Sequence, residues 1–264
     1  MSFASAAGEP AGTTVHTSAQ GLSEGWFDLP VDDGTLRAYH AAPAGRGGLP
    51  VVLVIQEIFG LHEHIRDICR RFAHAGYLAV SAELYQRQGD AARYDDIPAL
   101  VADIVSKVPD EQVLADLDAC VRWAAGQGAD AARLAVTGFC WGGRLTWMYC
   151  AHNSAVKAGA AWYGRLAAGH GPLQTRNPVD VAGSLHAPVL GLYGGQDASI
   201  PLADVEKMKA ALAAGSPAAR ESEIIVYPGA GHAFYADYRP SYRKDDADDA
   251  WQRTLQWFSR RLQG

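Results

Sequence analysis

The chain predicts an α/β protein with one central, mostly parallel sheet and helices on both faces. Three observations carry this expectation. Strand-like and helix-like segments alternate along the chain, two strands precede the strand–helix repeats, and the apolar runs are short. In order, Gly25 to Pro30 and Leu36 to His40 are the two opening strands. Val51 to Ile55 is an unbroken apolar run, followed by the helical pattern Glu63 to Ala75. Ala79 to Ala82 is the next strand, and two helical patterns follow it, Ile97 to Lys107 and Asp110 to Gln127. Leu134 to Thr137 is a strand that leads through a Gly-rich turn into the helix Gly143 to His152. The strands Ala158 to Trp162, Val189 to Tyr193 and Glu223 to Tyr227 complete the sheet, with helices at Leu202 to Ala214 and Asp245 to Arg261.

Length and composition agree with a single domain. The 264 residues are 48% hydrophobic and 20% charged, ordinary values for a globular chain able to bury a sizeable core. Residues 24 to 262 contain no internal repeat and no linker. The organisation expected is a flexible N-terminal arm, residues 1–23, and one domain, residues 24–264. The arm is rich in Ala, Gly, Ser and Thr, with no Lys or Arg in its first 22 residues, so it lacks the positive region of a signal peptide. No apolar run approaches the length of a membrane span. The expectation is a cytoplasmic protein, a monomer or small homo-oligomer. A net charge of −6 argues against nucleic acid and anionic membranes as partners, though not against an anionic substrate met by local arginines. About 25 residues separate Trp162 from Val189, too few for a large lid domain, so an open pocket and a small substrate are expected.

The segment Leu134 to Met148 is the most informative stretch. It reads as a short strand, then Gly138-Phe139-Cys140-Trp141-Gly142-Gly143, then a helix. That is the strained strand–turn–helix elbow that projects a nucleophile, with cysteine at its apex and glycine two positions to either side, where a Cβ would collide. The other cysteines, Cys69, Cys120 and Cys150, fall in helical patterns and read as small buried hydrophobes rather than a disulfide framework.

A cysteine nucleophile needs a base, and the base needs an orienting acid. Sheets that carry such an elbow supply these later in the chain, the acid first and the histidine second, each just past a strand end. Asp197 follows Val189 to Tyr193 through Gly194-Gly195-Gln196. His232 follows Glu223 to Tyr227 through Pro228-Gly229-Ala230-Gly231. Gln56-Glu57-Ile58-Phe59-Gly60 lies directly after Val51 to Ile55, at the corner that supplies half of an oxyanion hole. Ile58 and Trp141 are the backbone donors expected. Glu57 is unusual beside an oxyanion hole, since a carboxylate there repels developing negative charge unless it has other work. His62-Glu63-His64 lacks the spacing of a zinc helix because position 66 is arginine. No metal or cofactor is expected.

These residues resemble the dienelactone hydrolases (carboxymethylenebutenolidases), a cysteine branch of the α/β-hydrolases, over nearly the whole chain from about residue 24. The most specific parts are Gln56 to Gly60, Ala82-Glu83-Leu84-Tyr85-Gln86-Arg87, the Cys140 elbow, Tyr193 to Asp197, and Gly231-His232-Ala233-Phe234. The resemblance implies an α/β-hydrolase fold and a triad of Cys140, His232 and Asp197. It implies that Glu57 engages the thiol and helps form the thiolate when substrate binds. It implies that Arg87 grips a substrate carboxylate, and Tyr85 and Phe234 are expected beside the substrate. A second arginine of the family falls four positions after the histidine, where this chain has Ala236, and Arg239 is the candidate substitute. Burial beside Ile58 and Phe59 is expected to raise the Glu57 pKa. The function expected is hydrolysis of an ester or enol-lactone of a small carboxylated molecule through an acyl-thiol. A general carboxylesterase or thioesterase on the same triad is the nearest alternative, and a non-enzymatic ligand-binding scaffold the more distant one.

Overall fold

The computed structural model describes Ala7 and residues 12–263. The described residues form a single sheet of eight strands: β1 (Leu22–Val31), β2 (Gly34–Pro43), β3 (Pro50–Ile55), β4 (Leu78–Ala82), β5 (Asp130–Phe139), β6 (Val156–Trp162), β7 (Val189–Gly194) and β8 (Glu223–Tyr227), in the spatial order β1-β2-β4-β3-β5-β6-β7-β8. β1 pairs antiparallel with β2 and β2 with β4; every later pair is parallel. This is the α/β-hydrolase arrangement, and it follows from the residues. Strands β3, β4 and β7 are buried on both faces, and β3 and β4 are nearly continuous in Val, Leu, Ile and Ala, as a sheet covered twice requires.

The helices are α1 (Glu63–His74), α2 (Ile97–Asp103), α3 (Asp110–Gly126), α4 (Trp141–His152), α5 (Pro178–Val181), α6 (Leu202–Ala213), α7 (Pro217–Arg220) and α8 (Lys244–Arg261). In α1 the residues Ile65, Ile68, Cys69 and Phe72 recur at helical spacing and are all buried. Phe72 meets Trp251 and Phe258 of α8, with ring centroids 4.6 and 5.9 Å apart, so α1 and α8 share a face of the sheet. Helices α3 and α4 pack together over β5 and beneath the site. Cys69, Cys120 and Cys150 are free and buried within these packed helices. None of the described helices is long and apolar enough to cross a membrane.

Three details differ from the sequence reading. The helix expected over Ile97 to Lys107 stops at Asp103 and continues as a tight turn, because burying the adjacent Ile104 and Val105 together bends the chain. Helix α4 begins at Trp141, directly after Cys140. The N-terminal arm is fastened over its second half. Thr13 Oγ1 donates to the Asp237 carbonyl at 2.6 Å, and the Thr17 N–H donates to Asp67 at 2.6 Å. One threonine there meets a backbone carbonyl and the other the buried Asp67 carboxylate, two anchors within the arm expected from the sequence. Residues 1–6 and 8–11 lie outside the described residues.

Candidate active site

Register brings the functional loops to one end of the sheet. Ile55 pairs with Gly138, which sets the corner after β3 beside the turn after β5. Gly194 pairs with Tyr227, which sets the loop carrying Asp197 beside the loop carrying His232. At the elbow Cys140 adopts φ 54° and ψ −112°, outside the regions favoured by L-residues. The flanking glycines make this possible. A methyl group on Gly138 would stand 2.2 Å from the Gly142 carbonyl oxygen, and one on Gly142 would stand 2.5 Å from the Ile55 and Gln56 carbonyls. The backbone passes too closely for any side chain.

Cys140 Sγ lies 3.2 Å from His232 Nε2, and His232 Nδ1 lies 2.7 Å from Asp197 Oδ2. The other Asp197 oxygen accepts the Ser199 N–H at 2.8 Å, which fixes the carboxylate while its partner oxygen meets His232. Burial would lower the His232 pKa. The charge on the Cys140 sulfur and the bonds to Asp197 and Cys140 outweigh it and raise the pKa to about 10, so the ring favours its protonated form. Trp141 is the first residue of α4, where backbone N–H groups have no acceptor within the helix.

The thiol opens on a cavity of about 130 Å³. Ile58, Tyr163 and His232 border it from the strand ends, and Ile97 and Val101 of α2 form an apolar wall. Arg239, Arg165, His170 and Ser199 complete the lining. The pocket is therefore walled rather than open, because α2 and the segment after β6 both lean over it. The lining includes two arginines and two histidines and no carboxylate, an arrangement that attracts anions. Arg239 lies at the cavity as the candidate substitute for the arginine absent at Ala236. Its Nε donates to the Ala7 carbonyl at 3.0 Å, and its guanidinium lies 5.6 Å from the Phe59 ring centroid.

Glu57 is buried at the corner but does not hold the thiol. Its Oε2 accepts from Tyr238 at 2.7 Å and lies 3.3 Å from His62 Nε2, while the thiol faces His232. The expected rise in its pKa is reversed. Burial does push the pKa up, but the hydrogen bond with His62 and the charges of His64, His62 and Arg239 bring it down to about 2. Glu57 Oε1 is buried without a hydrogen-bond partner among the described residues. His62, Glu63 and His64 diverge: His62 turns to Glu57, Glu63 to Arg66 and Arg70, and His64 to Asp237.

Three expected substrate residues are elsewhere. Arg87 is consumed by two carboxylates. Its Nε donates to Asp33 at 2.7 Å and its Nη1 to Asp116 at 2.8 Å, tying the β1–β2 turn to α3 in a separate depression. Tyr85 is fully buried behind the elbow, its ring 4.8 Å from Trp141. Phe234 is fully buried against Tyr163 and Tyr227. Neither borders the cavity. Arg165 and His170 are cavity residues that the sequence reading missed. Arg165 stands just past the end of β6 and was open to the same strand-end rule that located Asp197. His170 carries no comparable local signal.

Comparison with known proteins identifies the family. The model of the dienelactone hydrolase family matches residues 36–262. A protein of Methylorubrum extorquens named "Putative carboxymethylenebutenolidase" is 56% identical over 247 residues, covering 93% of this chain and 84% of its own. An Escherichia coli K12 protein of the same name is 54% identical over 257 residues, covering 97% and 94%. The crystal structure of a "Putative Dienelactone Hydrolase" from Klebsiella pneumoniae superimposes with a TM-score of 0.87 at 55% identity, covering 90% of this chain and 98% of that one. With its eight-stranded sheet, its cysteine elbow and these relatives, the chain belongs to the dienelactone hydrolase family of carboxymethylenebutenolidase-like hydrolases.

Proposed function

We propose that this chain opens an enol-lactone, or cleaves an activated ester, of a small carboxylated molecule through a Cys140–His232–Asp197 triad. The observation that carries the proposal is the unbroken line from Asp197 through His232 to Cys140, ending at a cavity rimmed by cations. The Cys140 thiolate attacks the acyl carbon, and the N–H groups of Ile58 and Trp141 take the developing oxyanion. Collapse breaks the acyl–oxygen bond, and the departing enolate takes its proton from the His232 imidazolium. Neutral His232 then removes a proton from water, which attacks the acyl-thiol, and the acid departs as the thiolate re-forms.

A thiolate is itself a good leaving group, so esters of stabilised enolates are favoured and amides are poor substrates. Arg165 and Arg239 make the cavity electropositive, which supports a substrate carboxylate. Glu57, ionised at a pKa of about 2, takes no proton in this scheme; its Oε1, without a partner among the described residues, is a hydrogen-bond acceptor at the corner after β3. The general carboxylesterase reading draws on the apolar wall of Ile58, Ile97 and Val101. Rates on a carboxylated enol-lactone and a neutral aryl ester, measured side by side, discriminate the two.

The direct test is Cys140→Ala. Turnover is expected to fall about a thousandfold or more, with the circular dichroism spectrum unchanged. Wild-type enzyme quenched in mid-reaction is expected to carry the acyl mass on the Cys140 peptide. Activity above about a tenth of wild type in the variant would exclude the covalent route.

A further inference from the structure

Two residues of the cavity share the segment joining β6 to β7: His170, which has no part in the reaction above, and Arg165, which there only adds positive charge. That segment is held rigidly. Gln174 is buried, its Oε1 accepts the His170 N–H at 2.5 Å, and its Nε2 donates to the Val105 carbonyl at 3.0 Å. A methyl group on Gly171 would stand 2.5 Å from Ser106 Cβ, so the segment lies pressed against the turn that follows α2. Arg165 Nη1 donates to the Gly169 carbonyl at 3.0 Å, which fixes its guanidinium beside the peptide entering His170.

His170 stands among positive charges. Burial, followed by Arg165, Arg144 and His232, pushes its pKa down to about 3, so its ring is uncharged at neutral pH. Its Nδ1 is buried in the wall on the side of Gln174 while the ring borders the cavity, which leaves Nε2 as the nitrogen that meets a ligand. A carboxylate alone satisfies a guanidinium. An imidazole donor fixed beside it calls for a second oxygen close to the first.

We propose that Arg165 and His170 together read a 2-oxo carboxylate, the guanidinium taking the carboxylate and the imidazole donating to the oxygen on the neighbouring carbon. The substrate is then a lactone or ester of a 2-oxo acid rather than of any carboxylic acid. This builds on the hydrolase reading, but its test needs no turnover.

Cys69, Cys120 and Cys150 are buried, so iodoacetamide alkylation of the native protein reads Cys140. The probes are oxamate, which carries the oxo group beside its carboxylate without a reactive ketone, and propionate, which lacks it. Oxamate is expected to protect Cys140 at concentrations roughly tenfold lower than propionate, the worth of one well-placed hydrogen bond. In His170→Leu that preference falls below about twofold, and in His170→Asn, which restores a donor, much of it survives. Arg165→Met weakens protection by both acids. Equal protection by the two acids in the wild type, or a preference that persists in His170→Leu, overturns the proposal. Failure of the hydrolase reading registers separately, as absent turnover with protection intact.

Discussion

At Cys140 the chain turns from strand to helix in a conformation that only the neighbouring glycines allow, and a motif of six residues is enough to reveal it. Glu57 is the opposite case. Its place after β3 was readable, yet its ionisation was not, because the partners that decide it are scattered. His62 is five positions on, and Tyr238 reaches it from 181 positions away. Nothing local announces that they converge, so burial alone gave the wrong direction. The consequence is measurable. Glu57 has a pKa of about 2 against an ordinary 4.5, so its ionised form stabilises the fold above pH 4.5. That contribution, roughly 3 kcal/mol at most, is lost as pH falls from 4.5 towards 2. Glu57→Gln is therefore expected to melt below wild type at neutral pH, with a difference that shrinks across this acid window. A difference that stays constant down to pH 2 would mean that the folded protein holds a neutral Glu57.

Elements were easier to read than the contacts between them. Each of the eight strands was located in the sequence, the inner ones most directly, since burial on both faces leaves little freedom in their composition. The boundaries that slipped, at α2 and α4, did so where tertiary contacts bend the chain. Arg87 marks the limit of motif reasoning. It sits in a stretch that matches the family, yet here Asp33 of the β1–β2 turn and the buried Asp116 of α3 claim its guanidinium. Its work is to join those two elements. Arg87→Ala strands Asp116 without a partner, and a loss of about 1–3 kcal/mol in urea unfolding is expected. Catalytic efficiency on a carboxylated lactone should remain within about twofold of wild type. A large rise in KM for anionic substrates alone, with stability unchanged, would return Arg87 to the substrate site.

Across the whole molecule, the N-terminal segment is bound into the same polar network as the site. Arg71 of α1 donates to Asp67 at 2.7 Å and to Asp237 at 2.5 Å; Thr17 meets the first carboxylate, and Thr13 the Asp237 carbonyl. Two residues past Asp237, Arg239 borders the cavity and donates to the Ala7 carbonyl. The segment thus touches the molecule in two ways that two truncations separate. Removing residues 1–11 takes away the Ala7 carbonyl and spares Thr13 and Thr17. Arg239 then loses the acceptor that aims it, so KM for an anionic lactone is expected to rise about threefold to tenfold, while a neutral aryl ester and the melting temperature change little. Removing residues 1–18 also takes both threonines away from buried carboxyl and carbonyl groups, and is expected to lower the melting temperature by several degrees, the effect of roughly 1–2 kcal/mol. If the shorter truncation affects both substrates equally, Arg239 is not held for substrate charge by the segment. If the longer one melts like wild type, the contacts of Thr13 and Thr17 carry no stability.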